Sequence, residues 1–321
     1  MSAGRVLLAV TAAAMLGACS DNTGLRAGAD VDVVFVSGQQ LYTLRSGSQP
    51  IVTALGEALP FAATNRAVAL FPIRRFGPGQ SAYGDLQLFH LQGTLDSLGV
   101  PGEFLRSVGA ISPDGASLVY VRSGADGHIY LKTVHLLTGL RDSSDVSIDR
   151  AAPAAIQIAG NAPVFSPSGD SVAFLLPNPI TVQLFIYEVR TRRVQVYPVP
   201  VPVTTFVQLL AGWPRWTREN GIRFLGRRIA LTQLLDSVIV MSVDPRTPTR
   251  FAQQLYTVGI PDSLPITDFG VYSFDQTGDA VVFGMNTNGV NGLFLARRDS
   301  PKLRTILYNP AFDPLFPLLI P

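Results

Sequence analysis

An all-β chain folded as a six-bladed β-propeller, closed by its own C-terminal strand, is the architecture this sequence predicts. Three observations carry it. A turn-and-strand unit at residues 110–122, AISPDGASLVYVR, returns along the chain: Tyr120 lies five residues past Gly115, Phe174 five past Gly169, and Phe283 five past Gly278. Successive turns lie about 50 residues apart, the period of four-stranded blades with moderately long loops. With 29 glycines, 24 prolines and no helical period over any long window, nothing competes with strands.

The turn has a physical logic. In Ser112-Pro113-Asp114-Gly115, proline presets φ, aspartate caps through its side chain, and glycine accepts the positive φ needed to re-enter a strand. Phe165-Ser166-Pro167-Ser168-Gly169 and Phe274-Asp275-Gln276-Thr277-Gly278 repeat it; Asn65-Arg66 with Phe71 and Asn220-Gly221 with Phe224 are worn copies.

Taken in order, the chain opens with Arg5 and an uncharged apolar run over 6–18, then Leu16-Gly17-Ala18-Cys19. Thirteen apolar residues are too few to span a bilayer, which takes about 20, but they suit a secretory signal. These four residues resemble a bacterial lipobox, which is cut before its cysteine. Residues 1–18 are therefore expected to be a lipoprotein signal peptide, with Cys19, the single cysteine, lipidated. Ser20, rather than Asp, follows it, which favours the outer membrane, facing the periplasm or the cell surface. Residues 19–30 are small and polar and read as a tether. The remainder, 31–321, is the propeller.

Six central strands fall at residues 33–36, 67–71, 118–121, 172–175, 222–225 and 281–283. Six third strands follow in step, marked by Leu41-Tyr42, Leu88-Phe89, Ile129-Tyr130, Ile186-Tyr187, Val238-Ile239 and Leu293-Phe294. The first unit lacks an innermost strand, and residues 312–318 at the far end supply one. Pairing them removes two open sheet edges. Residues 142–161 read as a long connection, and the Pro-Val alternation at 197–202 as an edge or crossover.

The SPDG turn, the apolar strand and the Ile-Tyr strand after it resemble the repeat of TolB-type β-propellers, found in periplasmic TolB and in the propeller domains of some peptidases. The resemblance spans the chain after residue 30 and implies the fold. It implies no activity, since one architecture carries many.

The chemistry-bearing residues are sparse. His128 and His135 stand an odd number of residues apart, on opposite faces of a strand, and His90 is remote. No HExxH, CxxC or GxSxG occurs, the Gly-rich stretch at 77–84 lacks phosphate-loop spacing, and Asp142, Asp145 and Asp149 read as a solvated loop. No cofactor or metal is expected. Removing residues 1–18 takes away Arg5 and leaves 24 basic and 23 acidic residues, no footprint for nucleic acid. Repeat alignment sets Arg106, Asn161, Trp213, Arg215, Asp268 and Asp313 at the channel mouth, with Trp213 and Trp216 alternatively filling gaps between blades. The expectation is a monomeric, non-catalytic envelope lipoprotein binding a protein or peptide. An enzyme or small-molecule binder acting at the channel mouth, or a structural role in envelope assembly, are the alternatives.

Overall fold

The structure is a computed structural model; it describes residues 31–320 except 46–47, 54, 65, 78–79, 104, 106, 149–160, 178–180, 201–205, 220, 230–236, 249–251, 262–263 and 265. Cys19, the signal and tether, Arg106 and Asp149 lie outside the described residues.

The strands form six sheets. Blade 1 holds β1 (Asp32–Ser37), β2 (Gln40–Leu44) and β3 (Ile51–Val52). Blade 2 holds β4 (Ala58–Ala63), β5 (Ala67–Gly77), β6 (Gln80–Tyr83), β7 (Gln87–His90) and β8 (Leu95–Ser97). Blade 3 is β9 (Ala110–Ile111), β10 (Ser117–Ser123), β11 (Ile129–His135) and β12 (Gly139–Ser147). Blade 4 is β13 (Val164–Phe165), β14 (Ser171–Pro177), β15 (Thr181–Glu188) and β16 (Arg193–Pro200). Blade 5 has an innermost strand in pieces, β17 (Phe206–Leu209), β18 (Gly212–Trp213) and β19 (Arg215–Trp216), ahead of β20 (Ile222–Ile229), β21 (Ser237–Val243) and β22 (Gln253–Thr257). Blade 6 is β23 (Ile266–Phe274), β24 (Ala280–Thr287), β25 (Val290–Arg297) and β26 (Arg304–Tyr308). The chain then returns to blade 1 as β27 (Leu315–Ile320), which pairs antiparallel with β1, Val33 facing Leu319 and Val34 facing Leu318.

Contacts between innermost strands run β27 to β4, β4 to β9, β9 to β13, β13 to β19, β18 to β23 and β23 back to β27, which closes the ring. Blades 2 and 5 are therefore opposite one another. Innermost strands of neighbouring blades run parallel, as Gly212 with Tyr272 and Asn161 with Gly212 show. Antiparallel alternation within each blade then gathers the turns after the first and third strands on one face, here the turn face. The links between blades gather on the other, the crossover face. Asp32 pairs with Ile320, so the chain leaves its N-terminal segment on the turn face.

The turns behave as their composition dictates. Ser112 and Ser166 Oγ and Asp275 Oδ1 each accept the backbone N–H five residues on, at 2.9, 3.1 and 3.1 Å. Gly115, Gly169 and Gly278 hold φ of 73, 79 and 72°, open to glycine at no steric cost. Thr64 in blade 2 does the same task without glycine, accepting Ala67 N–H at 3.0 Å.

Alternate residues of each strand fill the gaps between blades, where ring pairs such as Phe61 with Tyr120, 5.2 Å apart and edge-on, join blade 2 to blade 3. Blade 1 is fastened beneath β27 by Phe35, Tyr42 and Phe312, mutually 5.3 to 6.3 Å apart.

One expectation needs correction, and one of two open placements is decided. Residues 142–147 are not connection but the second half of the nine-residue β12, an outer strand whose polar sequence is tolerated because it faces water on its free edge. Asp145 is accordingly no loop residue. Residues 197–200 of the Pro-Val alternation lie within β16, the outer strand of blade 4, the edge placement expected of residues with missing N–H groups; 201–202 lie outside the described residues.

Candidate functional site

A side chain crosses the ring axis. Trp213 on β18, 7% exposed, reaches across from blade 5 and donates its indole N–H to the carbonyl of Phe61 on β4 of the opposite blade, at 2.8 Å. The same carbonyl accepts Gly109 N–H at 3.1 Å, and a Cβ on Gly109 would lie 2.6 Å from the Phe61 ring. Tyr272 on β23 crosses Gly212 to donate to Asn161 Oδ1 at 3.2 Å, linking blades 6 and 4; a side chain at Gly212 would meet the Tyr272 carbonyl at 2.3 Å. Ala162 N–H to Gly212 O, Tyr272 N–H to Ala211 O and Leu319 N–H to Ser273 Oγ continue the stitching through blades 4, 5, 6 and 1.

This places the residues expected at the mouth. Asn161, 3% exposed, and Trp213 are interior braces and offer no surface to a ligand. Arg215 lies at the turn-face end of its strand because blade 5 begins its innermost strand at Phe206; its Nε donates to Gln276 O at 2.9 Å. Burial pushes its guanidinium below the ordinary value, opposed by Asp275. Asp268 and Asp313 stand exposed on the crossover face. Asp268 accepts its neighbour's N–H from Phe269 at 2.8 Å, while Asp313 accepts from Asn291 and donates its N–H to Ser37 at 2.8 Å. These residues do not converge on one pocket.

The concave site is elsewhere, on the turn face between blades 5 and 6. A polar cavity of about 300 Å³ is lined by Thr217, Glu219, Arg223, Ser242, Asp244 and Arg298 among others. A second of about 530 Å³ adjoins it at Arg298 and runs over Asp275, Asp279 and Asp299. Arg223, its side chain 5% exposed, donates to Asp279 at 2.6 Å and to Glu219 at 3.4 Å; Arg298 stands 3.7 Å from Asp279. The β20 register aims Arg223 at blade 6, and the Asp275 turn brings Asp279 to meet it. Tyr256 on β22 feels the charges of Arg223, Asp279, Asp275 and Arg298; burial raises its hydroxyl well above the ordinary value, and the hydroxyl has no hydrogen-bond partner among the described residues. Two arginines and several carboxylates around a small polar hollow suit a segment that offers both charge signs and hydrogen-bonding groups.

A further charged cluster in blade 3 is structural. Lys132 Nζ, 6% exposed in its side chain, meets Glu103 at 2.5 Å, Arg122 lies 3.1 Å from Glu103, and Arg122 bonds Asp145 at 2.8 Å. These pairs seat the link from blade 2 against the sheet. Among the described residues no group of three or more His, Cys, Asp or Glu could hold a metal ion. No helix among them is long and apolar enough to cross a membrane.

No family model matches the chain, and no curated protein matches it. Among solved structures, the chain is similar to TolB from Acinetobacter baumannii, with a TM-score of 0.62 and 17% identity over 93% of this chain and 69% of that one. It is also similar to a chain of the nidogen/laminin complex, with a TM-score of 0.55 and 8% identity over 91% of this chain and 98% of that one. At these identities the likeness is one of fold. The closed six-sheet ring, the turn chemistry and the match to TolB together make this chain, in fold, a TolB-like six-bladed β-propeller closed by its C-terminal strand.

Proposed function

We propose that this protein is a non-catalytic envelope lipoprotein, anchored through Cys19 to the outer membrane and facing the periplasm, whose propeller is a scaffold binding a protein or peptide. The supporting observation is the crossed axis. Trp213, bonded across the ring to Phe61, obstructs the axis at its level, which favours the faces and rim as binding surface. On those surfaces the crevice between blades 5 and 6 is the concave, charged place where a peptide segment would lodge, with Arg298 exposed at the junction of its two hollows.

A photo-crosslinking amino acid placed at Thr247 or Arg298 in the native envelope tests this. The expected result is a defined protein adduct from those positions and none from Gln39 on the crossover face. Absence of any adduct from either crevice position, together with turnover of a small substrate by the purified protein, would overturn it.

A further inference from the structure

Six of the exposed large hydrophobic side chains share one end of the disc. Ile51 (58% exposed), Val52, Leu95, Leu137 (87%), Leu140 and Val189 all flank turns between third and fourth strands, on the turn face of blades 1 to 4. Only Tyr83 and Leu315 of this class lie toward the crossover face among the described residues. Among the described residues blades 5 and 6 carry none, and hold the ionic crevice instead.

Cations accompany the apolar arc. Arg45, Arg141, Arg190, Arg192 and Arg193 are exposed in the same turns. The carboxylates beside them are fewer: Asp96, bonded to His90 at 2.8 Å, Glu188, bonded to the Thr191 hydroxyl at 2.7 Å, and the exposed Asp142. The chain leaves toward its N-terminus from blade 1 on this same face, at Asp32.

We propose that the turn-face rim of blades 1 to 4 docks on an anionic phospholipid surface, with Leu137 and Leu140 entering the headgroup layer and the flanking arginines meeting phosphates. The proposal rests on the envelope-anchored reading above. Residues 19–30 extend at most about 40 Å, so a lipid on Cys19 holds the turn face close to its bilayer and supplies a high local concentration of membrane for weak contacts. The apolar residues sit on separate turn tips of four successive blades rather than in one continuous groove. A deformable, negatively charged lipid surface can receive such spaced tips, and an arginine near it gains from the surface potential. Docked by this arc, the disc turns its crossover face away from the bilayer, and the crevice of blades 5 and 6 lies across the ring from the arc.

The test uses the full chain carrying Leu137→Cys, which once Cys19 is acylated supplies the free thiol for an environment-sensitive dye. The protein is reconstituted in vesicles of phosphatidylethanolamine and phosphatidylglycerol, with and without brominated lipid. The expected result is severalfold stronger quenching of the dye at 137 than at a Gln39→Cys control on the crossover face, with Leu140→Cys giving the same result as 137. Equal, weak quenching at 137, 140 and 39 would overturn the docking. Mass analysis of the N-terminal peptide separates the two readings: an acylated Cys19 with no quenching removes the docking and keeps the anchor. Quenching at 137 without acylation keeps the docking and removes the anchor.

Discussion

Replacing Trp213 separates a brace from a ligand contact. Trp213→Phe deletes the indole N–H that bonds Phe61 O at 2.8 Å. That carbonyl keeps Gly109 N–H at 3.1 Å, so it is not orphaned, and the loss is that of an ordinary hydrogen bond, about 1 kcal/mol. The smaller ring also gives up roughly three carbon-sized groups of burial at about 0.8 kcal/mol each. Together these come to about 3 kcal/mol. A body of about 290 residues unfolds with an entropy near 0.6 kcal/mol/K, so the midpoint should fall by about 5 °C. Trp213→Ala should cost about 3 to 5 kcal/mol, toward the upper end if the axis cannot collapse. Thermal unfolding followed by near-ultraviolet circular dichroism measures both. Partner capture by the folded Trp213→Phe protein should be unchanged. A midpoint within about 1 °C of the parent, or loss of capture without loss of stability, would refute the bracing role.

Burial raises the hydroxyl pKa of Tyr120, Tyr272 and Tyr256 above the ordinary value near 10. The native state keeps these protons where the unfolded chain releases them, so their contribution is complete below about pH 10 and lost as pH climbs beyond it. Tyrosinate absorbance from these residues should therefore rise only together with the loss of near-ultraviolet dichroism; ionisation ahead of unfolding would contradict their burial. Arg223→Ala should destabilise by about 2 kcal/mol, because it strips a nearly buried guanidinium from Asp279, whereas Arg298→Ala, on an exposed side chain, should shift stability by less than about 0.5 kcal/mol in urea titration yet weaken partner capture. Cys19→Ala should move the protein from the membrane pellet to the soluble periplasmic fraction, and persistence in the pellet after a salt wash would argue against the lipid anchor.

Much of the ring was legible because its determinants are local. Ser112, Ser166 and Asp275 each carry an oxygen that must accept the N–H five residues on, and a glycine follows at positive φ, so every strong copy announces an innermost strand ending and a second beginning. The closure was legible for a similar reason: blade 1 lacked a first strand and residues 312–318 read as one, although the strand observed, β27, runs three residues later at its start and two later at its end. Blade 5 was harder. Pro214 divides Gly212-Trp213 from Arg215-Trp216, so its innermost strand pairs in pieces with two different sheets and defeats alignment by period. The site was scarcely legible. Arg223 and Asp279 are 56 residues apart, and only the registers of β20 with β21 and of β24 with β23 bring them to 2.6 Å. Repeat alignment set the polar groups of Asn161 and Trp213 at a mouth, but other blades use those groups as internal fasteners, Tyr272 of blade 6 for Asn161 and Phe61 of the opposite blade for Trp213.

The central claim is that both chain ends meet inside one blade and lock the ring. Native-state hydrogen exchange resolved by residue tests it most directly, by comparing Leu318 and Leu319 on β27 with Leu118 and Phe283 on the second strands of blades 3 and 6. The account predicts that all four amides exchange only through global unfolding, with the same free energy of opening. Exchange of Leu318 and Leu319 at the rate of an unprotected tail, while Leu118 and Phe283 stay protected, would contradict it.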